Sequence, residues 1–138
     1  MADIGFLDSN VLIYAYQFND PEKQRRAQEL LRAAIGGKFV ISTQVLAEFT
    51  ATLLHKFSPP VDAESMKAIL EKLSPIKMIT PDADIVRRAV EARASYGLHF
   101  YDGMIVAAAE RAGCKRLLSE DFNAGQTYFG ITAENPFK

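Results

Sequence analysis

Residues Gly5–Tyr16, GFLDSNVLIYAY, place one carboxylate, Asp8, between two apolar runs. The run before it reads as a short β-strand, and SNVLIYAYQF after it reads as the start of a helix. Asp8 therefore falls at a strand-to-helix junction. Its ordinary explanation is an N-cap, whose carboxylate accepts the first unpaired N–H groups of the helix. Ser9 or Asn10 would cap as well, so capping does not account for an acid at this position.

The same strand–helix alternation continues along the chain. PEKQRRAQELLRAAIGG reads as an amphipathic helix, with Pro21 in its first turn and Ala27, Leu30, Leu31, Ala34 and Ile35 as its stripe; Gly36 and Gly37 stop it. AIGGK reads as this helix stop rather than as a phosphate-binding loop. KFVIS reads as a strand. TQVLAEFTATLLHKF reads as a helix with Leu46, Phe49, Leu53 and Phe57 on its buried side, broken by SPP. A helix capped by Asp62, the strand PIKMIT and a helix ended by Gly97 follow. FYDGMIVAAAERAG is apolar nearly all round, as a buried helix is. KRLLSE reads as a strand, DFNAGQTYFG as a turn-rich loop with a strand at its end, and ITAENPFK as a tail. The alternation predicts an α/β fold with a mainly parallel sheet between helices, forming a single domain over residues 1–138. In such sheets ligands sit beyond the carboxyl ends of the strands, where Asp8 and Asp121 are both expected.

Bulk properties narrow the function. The 138 residues are 49% hydrophobic, enough for one core. No apolar run approaches the roughly 20 residues that span a bilayer. MADIGFLDSN carries no basic segment of a secretory signal, so a cytoplasmic protein without a membrane anchor is expected. A single cysteine, Cys114, excludes an internal disulfide and a cysteine-rich zinc site. The formal charge is −1, so no global field draws the chain to nucleic acid. Leaving out the four acids discussed next turns that charge into +3.

Four acids stand out to different degrees. Asp102 begins the apolar helix, and Ile105, Val106 and Ala109 share its face. A carboxylate there is costly unless a cation or a polar cleft compensates it. Asp121 follows a strand, with Glu120 an equal candidate beside it. By periodicity Glu48 lies opposite the stripe of its helix and reads as an ordinary exposed glutamate. His99 reads as a helix-entry residue and His55 as a cation near a helix end; neither has a partner at metal-ligand spacing. Phe100 and Tyr101 have the flat faces that stack on bases, but their positions predict core packing. The basic clusters, Lys23, Arg25 and Arg26 among them, read first as solvated faces. Arg87, Arg88, Lys115 and Arg116 are the candidates for phosphate-backbone contacts.

Taken together, FLDSNVLIYA, ISTQVLAEF and FYDGMIVAAAERAGCKRLLSEDFNAGQ resemble, in order and over nearly the whole chain, the motifs of the PIN-domain ribonucleases, and among them the VapC-type toxins of toxin–antitoxin pairs. The run Asp102, Gly103, Met104, Ile105 and Val106 approximates the family's third motif, and RLLSED followed by NAGQ is similar to the toxin branch. The resemblance implies a PIN-like three-layer α/β/α fold and an Mg²⁺- or Mn²⁺-dependent endoribonuclease. It carries the four acids onto Asp8, Glu48, Asp102 and Asp121 as catalytic and metal-binding residues, Glu48 among them despite its periodicity. Asn10, where many relatives have threonine, and Ser119 match the residues that hold those acids. It also implies three partners: an RNA substrate, an antitoxin and a second copy of the chain. Two other readings remain. One is a PIN-like module that binds RNA or protein without catalysis. The other is a receiver-like signalling domain, which would need an acidic pair after the first strand, where FLDSN has one acid.

Overall fold

The computed structural model describes residues 3–138; Met1 and Ala2, part of the stretch read for a leader, lie outside it. Twelve elements follow in chain order: β1 (Gly5–Leu7), α1 (Ser9–Tyr14), α2 (Pro21–Ile35), β2 (Phe39–Ser42), α3 (Thr43–His55), α4 (Ala63–Leu73), β3 (Lys77–Ile79), α5 (Ala83–Tyr96), α6 (Phe100–Arg111), β4 (Arg116–Leu118), β5 (Thr127–Tyr128) and β6 (Ile131–Glu134). The strands form one sheet in the order β3-β2-β1-β4-β6-β5. Every pairing is parallel except β5–β6. Helices cover the sheet in the three-layer α/β/α arrangement. Among the described residues, no helix is long and apolar enough to cross a membrane.

The central strands β1 and β2 are buried on both faces, which is why Phe6, Leu7, Val40 and Ile41 run without polar interruption. The strand order places β1 between β2 and β4, so the carboxyl ends of these three parallel strands share one edge. Asp8 leaves β1 there, α3 starts directly from β2, and Ser119–Asp121 leave β4. α6 precedes β4 and runs back against the strand direction, so its first turn, with Asp102, belongs to the same edge.

Two expectations need correction. ITAENPFK is not only a tail: Ile131–Glu134 is β6, parallel to β4, with Ile131 and Ala133 buried and Thr132 and Glu134 exposed. The β5–β6 hairpin turns through Phe129 (φ 50°) and Gly130 (φ 83°). A bulky residue at positive φ is a poor turn signal. It is held here because its N–H donates to Tyr96 Oη at 2.9 Å and its ring lies 3.6 Å from the Arg88 guanidinium. Second, the fully buried stripe of α3 is Val45, Phe49 and Leu53, with Leu46 and Phe57 only partly buried. Phe49 and Leu53 belong to both stripes, and taking Val45 in place of Leu46 and Phe57 turns the centre of the buried face by roughly 45°. Glu48 then flanks that face instead of opposing it, and it is half-buried.

Helix α5 is capped by Asp82, whose carboxylate accepts from Ile85 N at 3.0 Å and from both Arg111 terminal nitrogens at 2.9 and 3.0 Å. The Arg111 bonds, then the Ile85 bond, hold its pKa down at about 2, against an ordinary 3.8. A depressed carboxylate stabilises the fold above its ordinary pKa and loses that contribution as pH falls through the folded value. Asp82→Ala is therefore expected to be less stable than the wild type near neutral pH. In urea titrations the gap closes between about pH 4 and pH 2. A gap independent of pH would show that this pair contributes nothing.

Candidate active site at the carboxyl edge of the sheet

Ser119 is the centre of a hydrogen-bond network that joins the first strand to the fourth. Its hydroxyl is fully buried and donates to Asp8 Oδ2 at 2.8 Å. Its oxygen accepts from Asn10 Nδ2 at 3.0 Å and from the Asp121 backbone N–H at 3.0 Å, which fills both of its lone pairs. Asn10 extends the network: Nδ2 also donates to Asp121 Oδ2 at 3.1 Å, and Oδ1 accepts from the Glu120 N–H at 3.3 Å. The two residues thus fix the positions of Asp8 and Asp121 across more than 100 residues of sequence.

Asp8 is buried, at 4% exposure. Its other oxygen accepts from Ser9 N at 2.8 Å, so it does cap α1. Burial raises its pKa from 3.8 to about 7. The Ser119 and Ser9 bonds oppose that shift, and the charges of Glu48 and Asp102 add to it. Asp102 is half-buried, and burial raises its pKa too; nearby His99 lowers it and Asp121 raises it. Acids from four separate segments thus gather at one edge of the sheet, Glu48 and Asp102 acting on Asp8 and Asp121 acting on Asp102.

The tie between Glu120 and Asp121 is resolved by side-chain direction. Glu120 turns toward α1 and α2, where it accepts a short hydrogen bond from Tyr14 Oη and pairs with Lys23 Nζ at 2.9 Å. Burial raises its pKa, and the Tyr14 and Lys23 bonds more than reverse this. Asp121 turns to Asn10 and the acid cluster. The Tyr14–Glu120–Lys23 group, which the sequence pattern did not single out, anchors the Asp121 turn from behind.

Gln44 was also missed. Its Nε2 donates to Glu48 Oε2 at 3.3 Å and to the Tyr101 carbonyl at 3.1 Å, tying α3 to the first turn of α6. Its Oε1 is buried with no partner among the described residues. A cavity of about 370 Å³ runs along α3 from Glu48 past Ala51 and Thr52 to His55 and Lys56. His99 caps α6, with Nδ1 accepting from Tyr101 N at 3.3 Å.

Three basic candidates are engaged elsewhere. Arg88 pairs with Glu110 through Nε at 2.9 Å and also with Glu91, and Arg87 pairs with Asp84. Arg116 starts β4, at the end of the strand away from Asp121, and reaches toward Glu134. Lys115 precedes it at that same far end. The expectation that Phe100 and Tyr101 pack in the core holds for neither: Phe100 is only partly buried and stands outside the core cluster. Tyr101 is 56% exposed.

Among the described residues, no three His, Cys, Asp or Glu side chains already close on one point as a finished metal cage. The donor set is nevertheless all oxygen: four carboxylates, with the unpartnered Gln44 Oε1 beside Glu48. Hard oxygen donors that leave room for water suit Mg²⁺ or Mn²⁺, which keep much of their hydration, and do not suit a fully protein-ligated ion.

Comparison with known proteins agrees with this architecture. The profile of the PIN domain matches residues 5–130, and the chain belongs to the PIN-domain family, whose members are nucleases. No curated protein matches the chain. Similar solved structures include a toxin–antitoxin complex from Klebsiella pneumoniae (21% identity, TM-score 0.70, 96% of this chain and 97% of that one). VapBC2 from Rickettsia felis bound to a promoter DNA fragment is similar as well (20%, 0.66, 96% and 98%). So is Mycobacterium tuberculosis VapC20, a toxin that cleaves the sarcin–ricin loop (18%, 0.65, 93% and 98%).

Proposed function

We propose that the chain is a divalent-metal-dependent endoribonuclease acting in the cytoplasm as the toxin of a toxin–antitoxin pair. The observation that carries this reading is Asp8. A carboxylate buried at a sheet edge, its ionisation opposed by burial and by two other acids, is destabilising in the absence of a cation. Asp8, Asp102 and Asp121 would hold Mg²⁺ or Mn²⁺, and Glu48 would hold a second ion or orient the attacking water. Bound there, such an ion supplies offsetting charge for the phosphate oxygens and a lowered pKa for water.

The chain's own residues supply the positioning. Ser119 and Asn10 keep the carboxylates of Asp8 and Asp121 at a fixed separation, and Gln44 keeps Glu48 in register with the turn that bears Asp102. Glu48, held by Gln44, would orient a water that attacks phosphorus while the bond to one ribose oxygen breaks and that oxygen takes up a proton from solvent. Partners follow the same reading: an RNA substrate, an antitoxin that covers the cleft and a second copy of the chain. The toxin–antitoxin assemblies among the similar structures support the antitoxin in particular.

The toxin reading is tested by inducible expression in a bacterial host. Growth arrest by the wild type, absent with Asp121→Asn at equal protein level, is the expected outcome. Arrest by both proteins, or by neither, would overturn it.

A further inference from the structure

Tyr101 is one of the few large hydrophobic side chains left exposed, and it immediately precedes Asp102. An aromatic ring left in water at the first turn of an otherwise buried helix gains nothing for folding. Yet its place is fixed on three sides. The Tyr101 carbonyl accepts from Gln44 Nε2 at 3.1 Å, its N–H donates to His99 Nδ1 at 3.3 Å, and the Phe100 ring meets it edge-on at 5.2 Å. The exposed His99 ring lies 5.8 Å away, tilted by 30°, so the two rings form a tilted step. The step borders the acids: His99 is close enough to Asp102 to favour its charged form.

We propose that Tyr101, with His99 beside it, is a stacking subsite for an unpaired nucleobase next to the scissile phosphate. This rests on the nuclease reading and specifies its substrate as single-stranded at that position. Acids and metal recognise only phosphate, which every nucleotide carries. A flat ring fixed before the third acid gives the site a way to hold a base and so set the register of the strand. Stacking tolerates any base and is blocked when bases are paired within a helix, so the subsite selects loops and unpaired segments.

The test measures binding apart from cleavage. Short fluorescein-labelled oligoadenosine is titrated against the cleavage-silent Asp102→Asn protein, alone and combined with Tyr101→Ala or Tyr101→Phe. The same RNA with one abasic nucleotide walked along it serves as the second probe. Losing one stacked base is expected to weaken binding about tenfold with Tyr101→Ala. Tyr101→Phe keeps the affinity, and one abasic position removes the difference between tyrosine and alanine. Equal affinity of the alanine and tyrosine forms, an alanine deficit unaffected by every abasic position, or no RNA binding at all would overturn the proposal. Cleavage by the otherwise wild-type chain, with and without Tyr101→Ala, is run alongside. Absence of wild-type cleavage counts against the nuclease reading, whereas wild-type cleavage equalled by Tyr101→Ala counts against the stacking subsite alone.

Discussion

Asp8→Asn is expected to lower RNA cleavage by about 10³-fold, and in the same protein to abolish an unusual pH dependence of stability. The activity loss follows from the proposed role of Asp8 as a metal ligand, oriented by Ser9 and Ser119 and near enough to Glu48 and Asp102 to feel their charge. The pH dependence follows from linkage. The folded pKa of Asp8 is raised to about 7 from 3.8, chiefly by burial. A raised carboxylate leaves full stability below its unfolded pKa, and that stability is lost as pH rises through the folded value. In chelator, the wild type should therefore weaken between about pH 4 and pH 8, by at most roughly 4 kcal/mol. The asparagine variant has no titrating group at this position and should lack that slope. Urea denaturation at several pH values measures both. Parallel curves for the two proteins would contradict the account of Asp8. A divalent cation that binds only the folded chain should restore the wild type at the upper end of the range.

The second large effect concerns a residue with no side chain. Gly103 lies on α6 where it crosses α5, and a Cβ there would stand 2.7 Å from the Ala89 carbonyl oxygen and 3.2 Å from Ala89 Cα. Both are backbone atoms, so the clash is relieved only by moving one helix. Gly103→Ala is expected to cost about 1–3 kcal/mol, as overpacking of a tight core does. The shift also passes to Asp102, one residue away, and a displacement of about 1 Å at a catalytic group lowers activity by about 10²-fold. Melting temperature and initial cleavage rate, measured below the melting transition, separate the two effects. A variant with wild-type stability and wild-type rate would show that the helix contact does not set the site.

Most of the framework was legible because its signals are local. The α2 stripe, the strand-to-helix junction at Asp8 and the apolar run of α6 each follow from spacing within a dozen residues. The errors arose where tertiary contacts override local pattern. β6 is four residues of plain alternation after a turn whose first residue is phenylalanine. Glu48 looked solvated because the stripe of α3 was counted from Leu46, whereas packing selects Val45. Glu120 and Asp121 are chemically equivalent neighbours, and only Tyr14 and Lys23, about 100 residues earlier, separate them. Gln44 carries no sequence signal of its own, and the aromatic Tyr101 reads as core; a buried oxygen without a partner among the described residues and an exposed ring are visible only once the fold is formed.

The central claim, that acids gathered at this sheet edge cut RNA with a divalent metal, is tested most directly on total cellular RNA. Purified wild type and Asp102→Asn are incubated with it in Mg²⁺ or Mn²⁺ and in chelator, and new RNA ends are mapped by sequencing. Discrete new ends that require both the metal and Asp102, flanked by unpaired nucleotides, are expected. Equal cutting by Asp102→Asn, or cutting that persists in chelator, would contradict that claim.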